Sequence, residues 1–380
     1  MPSGLMRKLN AMRTPAPAPA RKPPELVCRV ATYPADARLF ALSPTALRRI
    51  GFTGNRFDIR RALFLDTETT GLSGGAGTVA FLVGIGFVEG RYFTVEQYLM
   101  PDYSAEGMLL SRLAEKFPNY DTVVHFNGKT FDMPLLESRF VLRRMANEWR
   151  SFEQLDLLPP SRRLWKLRVG SCRLSHLEEA ILHLPRENDI PGAEIPQRYF
   201  DAVKTGDLSG LEDVITHNRQ DIVTLTTLLC ELCDRYGNPE DTSEQLDLFS
   251  LGKALERQGE IAPARRLYHL AAVPRTRTTL KDLIGEKYAG EANLRLYHIY
   301  RRAGDYAQAE AVLQNMLKRG QMGTVPKQEL AKLYEHRFKN YREALNITRE
   351  LLKTSAPEGR ASLEKRALRL EQKIHKQSGG

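Results

Sequence analysis

Asp66, Thr67 and Glu68 follow the apolar run Ala62-Leu63-Phe64-Leu65. Such a run reads as a buried strand. Alternate strand residues share a face, so both carboxylates point the same way. Oxygen donors paired like this suit hard divalent cations. Asp132 closes the segment Asn127-Gly128-Lys129-Thr130-Phe131-Asp132, between a strand-like run and a helical one. It can reach the same sheet edge, or cap the helix entered through Pro134. His217 and Asp221 are four residues apart in a stretch that is otherwise largely apolar (Leu211, Val214, Ile215, Ile222, Leu225). That spacing stacks them on one helical face. Facing a core, they need a metal or a partner; facing solvent, they are a satisfied surface pair.

The elements that must hold these side chains can be read from periodicity. Strands are expected at 62–65, 78–88, 92–100 and 122–126, with Gly90-Arg91 as a tight hairpin turn. Helices are expected at 104–117, 133–145, 173–183 and 211–235. Three antiparallel strands, a helix, a returning strand and further helices make a mixed α/β sheet with flanking helices. Residues 245–355 carry no strand signal. Leu251, Gly252, Leu255, Gly259, Ala264, Tyr268 and Ala271 have the spacing of a tetratricopeptide helix pair. Leu296, Tyr300, Gly304, Ala309 and Leu313 repeat it 45 residues on, and Tyr341 and Ala344 mark a weaker copy 35 residues beyond. A plain helical bundle is the alternative.

Length and charge bound the rest. The 380 residues are long enough for two domains. No run of eighteen apolar residues occurs, which excludes a transmembrane helix. Four scattered cysteines exclude a secreted disulfide framework and point to a reducing, cytoplasmic setting. The formal charge is +10, unevenly spread: residues 1–61 hold twelve Lys/Arg against three Asp/Glu, residues 62–238 eighteen against twenty-five, and residues 239–380 twenty-six against eighteen. Acidic in the middle and basic at both ends, the chain suits a metal-dependent enzyme acting on a polyanion. The expected organisation is a disordered, basic Pro/Ala-rich tail at 1–24, a lead-in at 25–61, an α/β domain at 62–238 and an all-α tetratricopeptide-like domain at 239–380.

Together, Asp-x-Glu, Asn-x-x-x-Phe-Asp and His-x-x-x-Asp resemble the exonuclease motifs of the DEDD group in the ribonuclease-H-like superfamily. Residues 64–86 (FLDTETTGLSGGAGTVAFLVGIG), 126–140 (FNGKTFDMPLLESRF), 189–196 (DIPGAEIP) and 217–221 tighten this to a resemblance to the YprB-type predicted exonuclease family. The resemblance implies a ribonuclease-H-like mixed sheet and a 3′–5′ exonuclease that hydrolyses phosphodiesters of DNA or RNA, on single-stranded 3′ ends. It implies two Mg²⁺ or Mn²⁺ ions held by Asp66, Glu68, Asp132 and Asp221, with Asp66 bridging and His217 as the candidate general base. Histidine-type members of the group place that His five residues before the last Asp, and tyrosine-type members place a Tyr four before it. Here a His has the tyrosine spacing. By the same resemblance Thr69 and Leu72 approach the terminal nucleotide. Asn127, Lys129 and Phe131 are further substrate-side candidates, Lys129 as a surface or a substrate-phosphate contact. Phe131 can stack on a base or serve in the core. A non-catalytic nucleic-acid-binding module that recruits a protein through its helical repeat, and an endonuclease on the same fold, are the alternative functions.

Other signals weigh less. Gly128-Lys129-Thr130 resembles the end of a P-loop, but Val123 stands where that motif needs glycine. Cys230-x-x-Cys233 lies in an apolar helix and reads as packing. Arg162, Arg163 and Lys166 either track a phosphate backbone or form a solvated helical face.

Overall fold

The computed structural model describes residues 25–71, 77–146, 148–184, 186, 190–273 and 280–378. The expected tail at 1–24 and Leu72 lie outside them. By compactness the chain falls into two units. The first comprises the described residues of Met1–Asp36, Phe57–Leu155 and Glu187–Thr226; the second comprises Ala37–Arg56, Asp156–Arg186 and Thr227–Gly380.

The first unit is built on the strands β1 (Val27–Pro34), β2 (Ala62–Thr69), β3 (Ala80–Glu89), β4 (Tyr92–Leu99), β5 (Thr122–His125) and β6 (Glu153–Asp156). They form one mixed sheet in the order β1-β4-β3-β2-β5-β6. β3 and β4 are joined by Gly90-Arg91, with Glu89 opposite Tyr92. Gly90 has φ 60, the left-handed value that a two-residue hairpin needs at its first central position. β2 runs antiparallel to β3 and parallel to β5, so β2 and β5 finish at the same edge of the sheet.

Each face of the sheet receives helices. The odd-numbered residues of β3 (Phe81, Val83, Ile85, Phe87) join Leu63, Leu65 and the helices α2 (Glu106–Lys116) and α3 (Asp132–Leu142) in one large core. Tyr199, from a helix at Ile195–Thr205, stacks on Phe81 with ring centroids 4.1 Å apart. The opposite face is flattened by Gly84 and Gly86. A Cβ on Gly84 would lie 2.2 Å from Ile222 Cδ1 and 2.3 Å from Asn218 Oδ1, and one on Gly86 would lie 2.6 Å from Ile222 Cγ2. Only glycine lets the helix at Glu212–Gly237 approach the sheet this closely.

The second unit is helical. Its helices include α1 (Pro44–Ile50), α4 (Leu158–Val169), α5 (Gln245–Arg257), α6 (Ile261–Ala271), α7 (Leu280–Ala303), α8 (Tyr306–Lys318), α9 (Val325–Leu333), α10 (Tyr341–Thr354) and α11 (Pro357–Ser378). From α5 onward the helices come as hairpins. Their turns hold Gly259 (φ 82), Gly304 (φ 78) and Lys339 (φ 56), each two residues before the next helix or its first tyrosine. In the first hairpin Gly252 seats Tyr268, since a Cβ there would be 2.8 Å from the ring. Hydrogen bonds link successive hairpins: His269 to Tyr300 Oη at 2.8 Å, and Tyr297 Oη donating to Glu329 at 2.7 Å. Buried Glu335 meets Arg366, Arg369 and Lys373 at 3.1, 2.9 and 2.8 Å. Burial alone would raise its pKa; the hydrogen bonds from Arg369 and Lys373, and the charges of Arg369 and Arg366, bring it down to about 2. Cys230 and Cys233 are both buried, as the packing reading expects.

Candidate active site

Strand register aligns the site. Asp66 on β2 lies opposite Gly84 on β3, and Gly84 opposite Gln97 on β4. These three therefore form a row across one face, with an empty place in the middle. Asn218 fills it from above. Its Nδ2 donates to Asp66 Oδ2 at 2.8 Å and to the Asp66 carbonyl at 3.2 Å. Gln97 Nε2 donates to Asn218 Oδ1 at 2.8 Å and to the Ile215 carbonyl at 2.7 Å, fixing which way the Asn218 amide faces. Asn218 is fully buried and Gln97 is 2% exposed.

Glu68 lies two residues along β2 and shares that face, where the register with β3 slips between Glu68 and Thr69. Irregularities of this kind re-aim side chains beside functional sites. His217 Nε2 lies 3.9 Å from Glu68 Oε1 and 3.7 Å from Asp221 Oδ2, and all three side chains are only 13–15% exposed. The i,i+4 pair therefore faces the sheet, and the surface-pair reading is set aside.

Asp132 arrives from the neighbouring strand. β5 ends at His125, and the chain turns through Asn127 at φ 65 and Gly128. Asn tolerates the left-handed region better than most residues. A Cβ on Gly128 would lie 2.7 Å from the His125 ring and 3.0 Å from Asp132 Oδ2, so the turn requires glycine. The Gly128 amide donates to His125 Nδ1 at 3.1 Å. Asp132 is the first residue of α3, whose N-cap is Phe131 and has no side-chain cap bond. Asp132 instead accepts a hydrogen bond from Thr67 Oγ1, so it is drawn toward β2 and does not cap the helix.

The four carboxylates feel one another. Burial pushes Asp66 well above the usual carboxylate range, and Asp221, Glu68 and Asp132, in that order, push it further; the Asn218 amide opposes them. A cluster of hard oxygen donors under mutual repulsion is the electrostatic setting that a divalent cation relieves. As they stand, no three His, Cys, Asp or Glu side chains among the described residues form a ready-made cation cage. Two of the oxygens, one of Asp66 and one of Asp132, are instead engaged by Asn218 and Thr67. The donor types fit such an ion, and the like-charge crowding favours one.

The remaining expected residues line the same end of the sheet. Thr69 Oγ1 donates to the Gly71 carbonyl at 2.9 Å. Asn127 Oδ1 accepts from Thr130 at 3.2 Å, and Lys129 is exposed. Phe131 is 54% exposed, which removes it from the core and leaves its ring open to a ligand. Sequence reasoning missed Asn218 and Gln97. Asn218 had a signal: it falls in the stripe Ile215, Ile222, Leu225 at helical spacing, where a polar residue must be buried and satisfied. Gln97 had none, because its partner lies 121 residues away.

Residues 63–233 match the family model described as the RNase_H superfamily. The chain is 29% identical over 315 residues to the uncharacterized protein YprB of Bacillus subtilis strain 168, an alignment covering 81% of this chain and 73% of the relative. Among solved structures, a family B DNA polymerase from the hyperthermophilic archaeon Pyrobaculum calidifontis aligns at 13% identity and a TM-score of 0.34, over 66% of this chain and 30% of the polymerase chain.

Proposed function

With residues 63–233 carrying a ribonuclease-H-superfamily fold, we propose that this segment is a metal-dependent 3′–5′ exonuclease acting on single-stranded ends of DNA or RNA. The observation that carries the reading is the crowding of Asp66 by Asp221, Glu68 and Asp132. Mg²⁺ or Mn²⁺ ions held by these four carboxylates would supply the nucleophile and neutralise the charge that develops on phosphorus and on the leaving oxygen. Asp66, which the other three carboxylates crowd, would be the ligand that such ions share. Asn218 engages its Oδ2, so Oδ1 is the oxygen left for a cation. His217 accepts the proton of the attacking water at Nε2, the ring atom nearest Glu68 and Asp221. Phe131 stacks on the terminal base, and Lys129 meets a phosphate beside it, with Thr69 and Asn127 shaping the pocket. No helix among the described residues is long and apolar enough to cross a membrane. Cysteines that form no disulfide among the described residues fit a reducing, cytoplasmic compartment.

The test is digestion of 5′-labelled DNA and RNA oligonucleotides with Mg²⁺, Mn²⁺ or EDTA. A ladder shortening from the 3′ end only with metal is the expected result. Intact substrate under every metal condition overturns catalysis, and cutting of a circular strand replaces the exonuclease reading with an endonuclease.

A further inference from the structure

The second unit contains a groove of about 470 Å³ that the proposed chemistry does not use. Arg162, Arg163 and Lys166 of α4 line one side, Lys253 and Arg257 of α5 the other, with Tyr288 of α7 at the rim. Among the described residues, none that lines the groove is acidic. The groove is a built feature. Arg168 Nε reaches both carboxylate oxygens of buried Asp247 at 2.9 Å, which clamps α4 to α5. Buried Phe249 forms part of the lining, with Lys253 Nζ 5.5 Å above its ring and the Tyr288 ring 5.2 Å away.

The five cations differ from most others in this unit. Arg168, Arg302 and Arg369 are matched to Asp247, Glu256 and Glu335. Among the described residues, none of the five groove cations forms an ion pair; Arg163 and Lys166 donate to the carbonyls of Ile50 and Gly170. Burial, and then the charges of Arg257 and Arg295, lower the Lys253 pKa, against a smaller opposing effect of Glu291. Five cations are thus held together without an internal anion. Arg162 and Lys166, like Lys253 and Arg257, are one helical turn apart, about 5–6 Å on a helix surface. Two such rows facing an aromatic rim match a ligand with regularly repeated negative charge and flat apolar groups.

We propose that this groove binds the phosphate backbone of a single nucleic-acid strand, with a base stacked on Tyr288. Phosphate contacts set affinity and position without reading sequence, and aromatic stacking tolerates any base. The groove does not need residues 63–233 to be catalytic.

The experiment measures binding of the full chain to a fluorescein-labelled twenty-nucleotide oligo-dT in EDTA, by anisotropy across a salt series. A triple variant, Arg162→Glu, Lys253→Glu and Arg257→Glu, is expected to bind at least tenfold more weakly. Its salt dependence should flatten by roughly 0.7 per lost phosphate contact. A control triple at exposed positions, Lys318→Glu, Lys353→Glu and Lys365→Glu, makes the same change in net charge and should stay within about threefold. Tyr288→Ala should cost roughly tenfold. If the reversal triple does not fold, the same three positions changed to Gln decide the matter by the same salt slope. Equal weakening by both triples overturns the proposal, as does binding of inorganic phosphate without binding of the oligonucleotide. A parent chain that cuts no substrate with Mg²⁺ or Mn²⁺ yet keeps groove-dependent binding would sink the exonuclease reading and leave this one standing.

Discussion

Asp66 is a carboxylate whose own neighbours discourage it from ionising. Each of Asp66→Ala, Glu68→Ala, Asp132→Ala and Asp221→Ala should remove most hydrolysis, since each deletes an oxygen donor. In EDTA, however, Asp221→Asn should melt a few degrees above the parent, because it removes the strongest like charge acting on Asp66. Mn²⁺ should raise the parent's melting temperature and leave the variant's nearly unmoved. A variant that melts lower in EDTA would show that repulsion is not what the cluster stores. Asn218→Ala should cut turnover roughly 10–100-fold, the usual cost of removing a residue that orients a ligand. His217→Ala should cost roughly 10²–10⁴-fold if it moves the proton, and only thermal stability if it merely packs; single-turnover rates and melting curves on one sample separate the two. The five acid and base positions were legible because their types and spacing are chemical. Gln97 was not, because its role exists only once β4 lies two strands from Asp66.

Among the elements, the two sheet glycines decide how closely the helix carrying His217, Asn218 and Asp221 can approach. Gly84→Ala should destabilise the protein by about 1–3 kcal/mol through overpacking and lose activity beyond what stability explains. Gly107 makes the contrast, since a Cβ there would meet nothing within 4 Å: Gly107→Ala should stabilise α2 by up to about 1 kcal/mol. Chemical denaturation of both variants tests the pair. Glu335 supplies a pH dependence. Its folded pKa lies near 2, below the ordinary value of 4.5. Its contribution is therefore complete above about pH 4.5 and fades as pH falls toward 2. Glu335→Gln should cost a few kcal/mol near neutrality, and the gap to the parent should close on acidification. The strands β2 to β5 were readable because they are apolar and bounded by turns. β1 (VCRVATYP) places an arginine and exposed positions along a sheet edge, and β6 is four residues of mostly polar type. The helix Ile195–Thr205 was missed because Pro196 hides its start, although proline is well placed in a first turn.

At the scale of the whole molecule, linear order and compactness divide the chain differently. Residues 37–56 and 156–186 group with the C-terminal helices. Arg49 pairs with Glu260 at 2.6 Å, and Arg168 with Asp247. A chain ending at Asn238 would keep Arg49 and Arg168 and lose both partners. It should bind a hydrophobic dye and melt less cooperatively than the full chain; an unchanged, sharp transition would show that the helical unit does not depend on those early segments. Length suggested two domains and helical spacing a helical second half; that the helical unit takes in two earlier pieces of chain was not readable, since such recruitment leaves no periodicity. The same arrangement bears on synthesis. Arg49 leaves the ribosome 211 residues before Glu260 exists. At about 5–20 residues per second, the amphipathic turn around Leu47 and Ile50 waits roughly 10–40 seconds for its partners. During that interval it is a sticky nascent segment, open to a chaperone or to a neighbouring chain on the same polysome.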